Sequence, residues 1–132
     1  MPHITVEYTE NIGAVADIPG LLRKIVDTVL GPDGGGAFPV GGVKARAYEA
    51  KDYLVGDGRD EAAGFVHILI RIARGRPLEV RQKAFDAVFE VVKDHLGHFY
   101  DARPFAISMD VEEFGDRLAY KHNNLHERYK GG

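Results

Sequence analysis

Residues 65–72, Phe65-Val66-His67-Ile68-Leu69-Ile70-Arg71-Ile72, are the most strand-like run of the chain. β-branched and apolar side chains dominate it, and they stand on both sides of the alternation, which predicts a strand buried deep in a sheet. Gly75-Arg76-Pro77 breaks the run. Beyond it, Leu78, Phe85, Val88, Phe89, Val92 and Leu96 fall on one face of a helix, with Gly97 as the expected stop. Pro104 to Val111 then reads as a further strand.

Working upstream, Gly56-Asp57-Gly58 is a turn that ends an extended segment from Val43 to Val55. Asp33 to Gly36 reads as a flexible loop, entered at Gly31-Pro32. Before it, Ile18, Leu21, Leu22, Ile25, Val26 and Val29 recur at helical spacing. Asp17 is placed to cap that helix, with Pro19 tolerated in its first turn. At the start, Ile4, Val6 and Tyr8 alternate with His3, Thr5 and Glu7, as in a strand with one buried face.

The order is strand, helix, strand, twice over, a weak internal repeat of shape more than of letters. It predicts an α/β two-layer sandwich, βαββαβ, in which two helices cover one face of a four-stranded sheet. Residues 1–132 are expected to form a single domain. The other sheet face would be bare, and the apolar character of strand 65–72 on both sides predicts its burial against other subunits. The tail from Arg117 to Lys130 is polar and mixed.

Composition narrows the function. With 17 basic and 20 acidic side chains the net charge is -3, which argues against nucleic acid as a partner. The chain has no cysteine, so disulfides, thiolate nucleophiles and cysteine-ligated metals are excluded. No apolar run is long enough to span a bilayer, and residues 1–7 lack the pattern of a signal peptide, so a cytoplasmic location is compatible. His95 and His98, and His122 and His126, stand at helical spacing without an HExxH pattern, so no metal site is expected. His67, inside the apolar strand, is expected to be a hydrogen-bonded core residue. There is no Walker loop, dinucleotide fingerprint or nucleophile-elbow pattern around Ser108.

Pro2 is the most telling candidate, set against the competing reading that many chains begin Met-Pro without catalytic intent. Once Met1 is removed, residue 2 presents a secondary amine on a rigid ring. In an apolar pocket beside cations its protonated form is disfavoured, which brings it toward the working pH of a general base. It also leads straight into a strand, which holds it still where most termini fray. Arg76, at a strand-to-helix turn, is a candidate carboxylate ligand, with a solvated surface arginine as the competing reading. Lys44 and Arg46 alternate along one extended segment and are expected to share a face; a solvated strand face is the competing reading.

Six segments carry a resemblance, in order along nearly the whole chain: Met1 to Glu7, Ala16-Asp17-Ile18-Pro19-Gly20-Leu21, Phe38-Pro39, Phe65-Val66-His67, Gly75-Arg76-Pro77-Leu78-Glu79-Val80-Arg81-Gln82, and Lys121-His122-Asn123-Asn124-Leu125-His126. Together they resemble the 5-carboxymethyl-2-hydroxymuconate delta-isomerase family of the tautomerase superfamily. The resemblance implies a homotrimer of βαββαβ subunits with sheets facing inward, and an isomerase that needs no cofactor or metal. It implies Pro2 as the proton-transfer group and Arg76 as a catalytic arginine. Lys44 falls where the family carries an arginine and Arg46 matches a further one, so these two are expected to bind an unsaturated di- or tricarboxylate. Lysine keeps the charge but lacks the guanidinium fork. The implied setting is bacterial homoprotocatechuate degradation, a branch of aromatic catabolism. A tautomerase of a smaller enol such as phenylenolpyruvate remains open, as does an acid-binding module without chemistry.

Overall fold

The computed structural model describes residues 2–115 and 118–130. Strand β1 (His3–Thr9) leads through a short helix α1 (Glu10–Gly13) into helix α2 (Ile18–Leu30), and strand β2 (Lys44–Ala50) returns parallel to β1. Strand β3 (Gly64–Ala73) runs antiparallel to β1 on its other side. Helix α3 (Leu78–Ala102) then crosses to strand β4 (Phe105–Phe114), which lies parallel to β3. The sheet order is β2-β1-β3-β4, so two βαβ units meet at the β1–β3 seam. A short helix α4 (Leu125–Arg128) follows in the tail. This is the two-layer βαββαβ sandwich the sequence predicts.

The core lies between the sheet and α2 and α3. Ile4, Val6, Val66, Ile68, Ile70 and Ile72 from the central strands are fully buried there, beneath Leu21, Ile25, Val88, Val92 and Leu96 of the helices. Burying side chains of this size contributes about 1.5–3 kcal/mol each. Asp17 caps α2 as expected: its Oδ1 accepts the Gly20 N–H at 3.1 Å, and Asp17 itself adopts left-handed φ 48. The turn at residues 56–58 is also as expected, with Gly56 and Gly58 at positive φ and the Gly58 N–H donating to Val55 O.

Several expectations are corrected. The second strand stops at Ala50, not Val55, because Ala50 pairs with Thr9, the last residue of β1, and β1 then turns into α1. Asn11 of α1 donates its side-chain N–H to Ala63 O at 2.9 Å, pinning the far end of the connection from β2 to β3. Helix α3 runs through Gly97 to Ala102. A glycine ends a helix by adopting a left-handed conformation; Gly97 does not, and Leu96 and Phe99 beside it are buried. Leu78, counted on the buried face of that helix, is exposed at its first turn.

The third strand is not apolar on both sides. Val66, Ile68, Ile70 and Ile72 are buried, while Phe65, His67, Leu69 and Arg71 alternate onto the open face. There they meet charged and polar neighbours: Arg71 Nε lies 3.5 Å from Glu112 Oε2, and His67 Nδ1 is hydrogen-bonded to Ser108 Oγ at 2.7 Å. His67 is therefore a half-buried residue of the open face, not a core residue, and the inference of subunit burial from an apolar face loses its premise.

Candidate active site

The site grows from the pairing of β1 with β2. The Lys44 N–H donates to Pro2 O at 3.1 Å, and the ladder continues as His3↔Lys44 and Thr5↔Arg46. This parallel pairing brings residues more than forty positions apart to one end of the sheet. Pro2 is buried there at the head of the strand. Met1, whose removal the catalytic reading needs, lies outside the described residues.

Lys44 and Arg46 stand two residues apart on the open face, as their spacing predicts. Arg46 Nη1 lies 3.0 Å from His3 Nδ1. A guanidinium can only donate, so His3 Nδ1 is the acceptor and the neutral ring carries its proton on Nε2. Burial, and then the charges of Arg46, Lys44 and Arg71, push the His3 pKa below its ordinary value. The imidazole is therefore held neutral in a cationic corner.

Lys44 Nζ is shielded from solvent and, among the described residues, has no hydrogen-bond partner. A buried ammonium without a partner is costly unless an anion supplies one. Lys44 lines a cavity of about 400 Å³ with His3 and Phe114 on the sheet side and residues 118–123 of the tail on the other. That volume is in the usual range for a small-molecule site.

Arg76 is placed differently. Its Nε and Nη2 donate to Ala37 O at 3.1 and 3.0 Å, and its Nη1 donates to Ala73 O at 3.3 Å. The guanidinium carbon sits 4.4 Å from the centre of the Phe38 ring, which in turn packs on Phe85 of α3. Arg81 Nε donates to Arg76 O, and Arg81 Nη1 pairs with Glu113 Oε1, fixing the turn between β3 and α3. Arg76 thus ties the loop after α2 to the end of β3. Unlike Lys44, it is absent from the lining of the 400 Å³ cavity.

The pairing of β1 with β2 brings the backbones of Pro2, His3, Lys44 and Arg46 to one end of the sheet; of these His3 and Lys44 line the cavity, whereas Pro2, Arg46 and Arg76 do not, Arg76 being held in the loop anchored on Phe38. Sequence reasoning missed His3 and the tail wall. No local signal points to His3, because it meets Lys44 and Arg46 only through the pairing of β1 with β2. His95 Nε2 bonds Ala16 O at 2.7 Å, and among the described residues no group of three or more His, Asp or Glu side chains that could hold a metal ion is assembled. Among the described residues, no helix is long and apolar enough to cross a membrane.

The family model described as 5-carboxymethyl-2-hydroxymuconate isomerase matches residues 2–129. The chain is 36% identical over 130 residues to the 5-carboxymethyl-2-hydroxymuconate Delta-isomerase of Escherichia coli, covering 98% of this chain and 100% of that one. The crystal structure of a 5-carboxymethyl-2-hydroxymuconate isomerase from Deinococcus radiodurans R1 superposes with TM-score 0.89 at 38% identity, over 98% of this chain and 94% of that one. A fused 4-OT wild-type symmetric trimer shares the fold alone, at TM-score 0.56 and 19% identity over 85% of this chain and 86% of that one.

Proposed function

This chain belongs to the 5-carboxymethyl-2-hydroxymuconate isomerase family, and on that premise we propose that it isomerises an unsaturated 2-hydroxy di- or tricarboxylic acid with Pro2 as the proton carrier. It is an isomerase; what is proposed is the substrate, the residues and the order of proton movements.

The neutral amine of Pro2 takes the proton of the 2-hydroxy group, or of the carbon acid in the keto form. Negative charge spreads over a conjugated dienolate. Lys44 and Arg46 hold the carboxylates and offset the developing charge. Protonated Pro2 then returns the proton to a distant carbon of the conjugated system, leaving an unsaturated keto acid. Arg76 supports this chemistry by fixing the Ala37–Phe38 loop, and two N–H groups of its guanidinium remain beyond those bound to carbonyls.

The observation that carries the reading is the burial of Pro2 at the head of a central strand, bonded through its carbonyl to the residue whose ammonium lacks a partner among the described residues. The expected assembly is a homotrimer, supported by the outer edges of β2 and β4, which pair with no further strand among the described residues, and the expected setting is homoprotocatechuate degradation. The test begins with an intact mass showing one methionine fewer than the sequence. Pro2→Ala should then lower kcat on a 2-hydroxydienedioate about 10²–10⁴-fold. An unchanged rate would sink the proline mechanism. A higher rate of the wild type on a monocarboxylic enol than on a tricarboxylic dienol would favour the smaller substrate instead.

A further inference from the structure

We propose that residues 118–128 form a strap that sets the acid specificity of the Lys44 cavity, and that the strap is seated on Gly41. This rests on the reading above for the reaction, but not for the binding.

The cavity exists between two surfaces. One is the end of the sheet, with His3, Lys44 and Phe114; the other is the run 118–123. The sheet side supplies the solvent-shielded ammonium of Lys44. The strap side adds Lys121, His122 and Asn123, an ammonium, an imidazole and a side-chain amide. An acid with one carboxylate satisfies Lys44 and needs nothing further. An acid with more carboxylates can place the others along the strap, so the strap favours polyanions over monoanions.

The strap is held by close backbone contact. Asn123 Oδ1 accepts the Leu125 N–H at 3.1 Å and starts α4. That helix sits on the 3-10 turn Val40–Gly42, just before Lys44. A Cβ at Gly41 would lie 2.8 Å from His126 N and 2.8 Å from Leu125 C, both backbone atoms. Gly41 is not at positive φ. Alanine there is compatible with the turn itself and displaces only what leans on it. The absence of a side chain at residue 41 therefore fixes how close the strap comes to the cavity.

The experiment measures binding of propane-1,2,3-tricarboxylate, an unreactive tricarboxylate, by calorimetry to wild type and Gly41→Ala. Steady-state rates on a tricarboxylic dienol and on a monocarboxylic enol are recorded in parallel. The expected result is a Kd for the tricarboxylate raised about tenfold in Gly41→Ala, with KM for the monocarboxylic enol unchanged. Lys121→Ala/His122→Ala, at exposed positions, gives the same split without touching the turn and serves if Gly41→Ala does not fold. Wild type that fails to bind the tricarboxylate, or variants that bind it as tightly as wild type, overturn the strap. A loss shared equally by tri- and monocarboxylic acids overturns it too. If wild type binds the tricarboxylate in a strap-dependent way but isomerises neither acid, the proposed reaction fails and the strap stands. If it isomerises them and the variants are indifferent, the reverse holds.

Discussion

Replacing Lys44 by methionine should make the free protein more stable and the acid-bound protein less so. Methionine keeps the length of the aliphatic stem and removes the ammonium. Lys44 Nζ is shielded from solvent and has no partner among the described residues, so its desolvation is uncompensated in the empty site. Leaving such a group unsatisfied costs about 1–3 kcal/mol, more when it is charged. For a chain of 132 residues a gain of that size raises Tm by about 4 °C for each kcal/mol. In the presence of the tricarboxylate the order reverses. The variant lacks a charge-assisted hydrogen bond of about 1.5–3 kcal/mol, equivalent to about 10–150-fold in Kd. Thermal unfolding of both proteins at pH 7, at one protein concentration and with and without propane-1,2,3-tricarboxylate, reads both effects in one experiment. A Lys44→Met protein less stable than wild type without ligand would refute the reasoning, because it would mean the ammonium already had a partner worth more than its burial.

Two further outcomes follow from the same geometry. The His3 pKa is depressed, so between its folded value and about 6.5 the unfolded chain binds a proton that the native one does not. Stability must therefore fall as pH drops below about 6.5, and His3→Gln should flatten that part of a stability-against-pH curve measured by urea unfolding; an unchanged slope would remove His3 from the account. At Asp17, alanine loses the cap to Gly20 N–H and keeps the left-handed strain, so Asp17→Ala should cost about 1–2 kcal/mol. Asp17→Gly relieves that strain and should be the milder change, and urea midpoints in the opposite order would contradict the cap.

The fold was largely legible because its elements carry strong local signals. Period-two alternation at residues 4–8, helical spacing at 18–29 and a β-branched run at 65–72 each act within one element, and the core buries the side chains those patterns single out. What could not be read was anything set by a neighbour. The length of β2 is decided by where β1 stops, since Ala50 pairs with Thr9 and nothing lies beyond it. The character of the open face was misjudged for the same reason. Leu69 suggested an apolar surface, yet Thr5 of β1 and Asp110 of β4 pair with it on either side.

The site divides along the same line. That Lys44 and Arg46 share a face follows from spacing alone, whereas which of the expected cations is left for an acid depends on distant backbone. Arg76 commits three nitrogens to the carbonyls of Ala37 and Ala73. Arg46 commits one to His3. Lys44 commits none among the described residues. Ala37 is separated from Arg76 by nearly forty residues, and His3 from Arg46 by more, so neither bond has a local signal in the sequence. The consequence for the proposed reaction is a hierarchy. The lysine, which as a compact point charge needs no planar partner, is the side chain most in need of the substrate. Arg46, already engaged by His3, shapes the corner in which it waits, and Arg76 braces the loop anchored on Phe38.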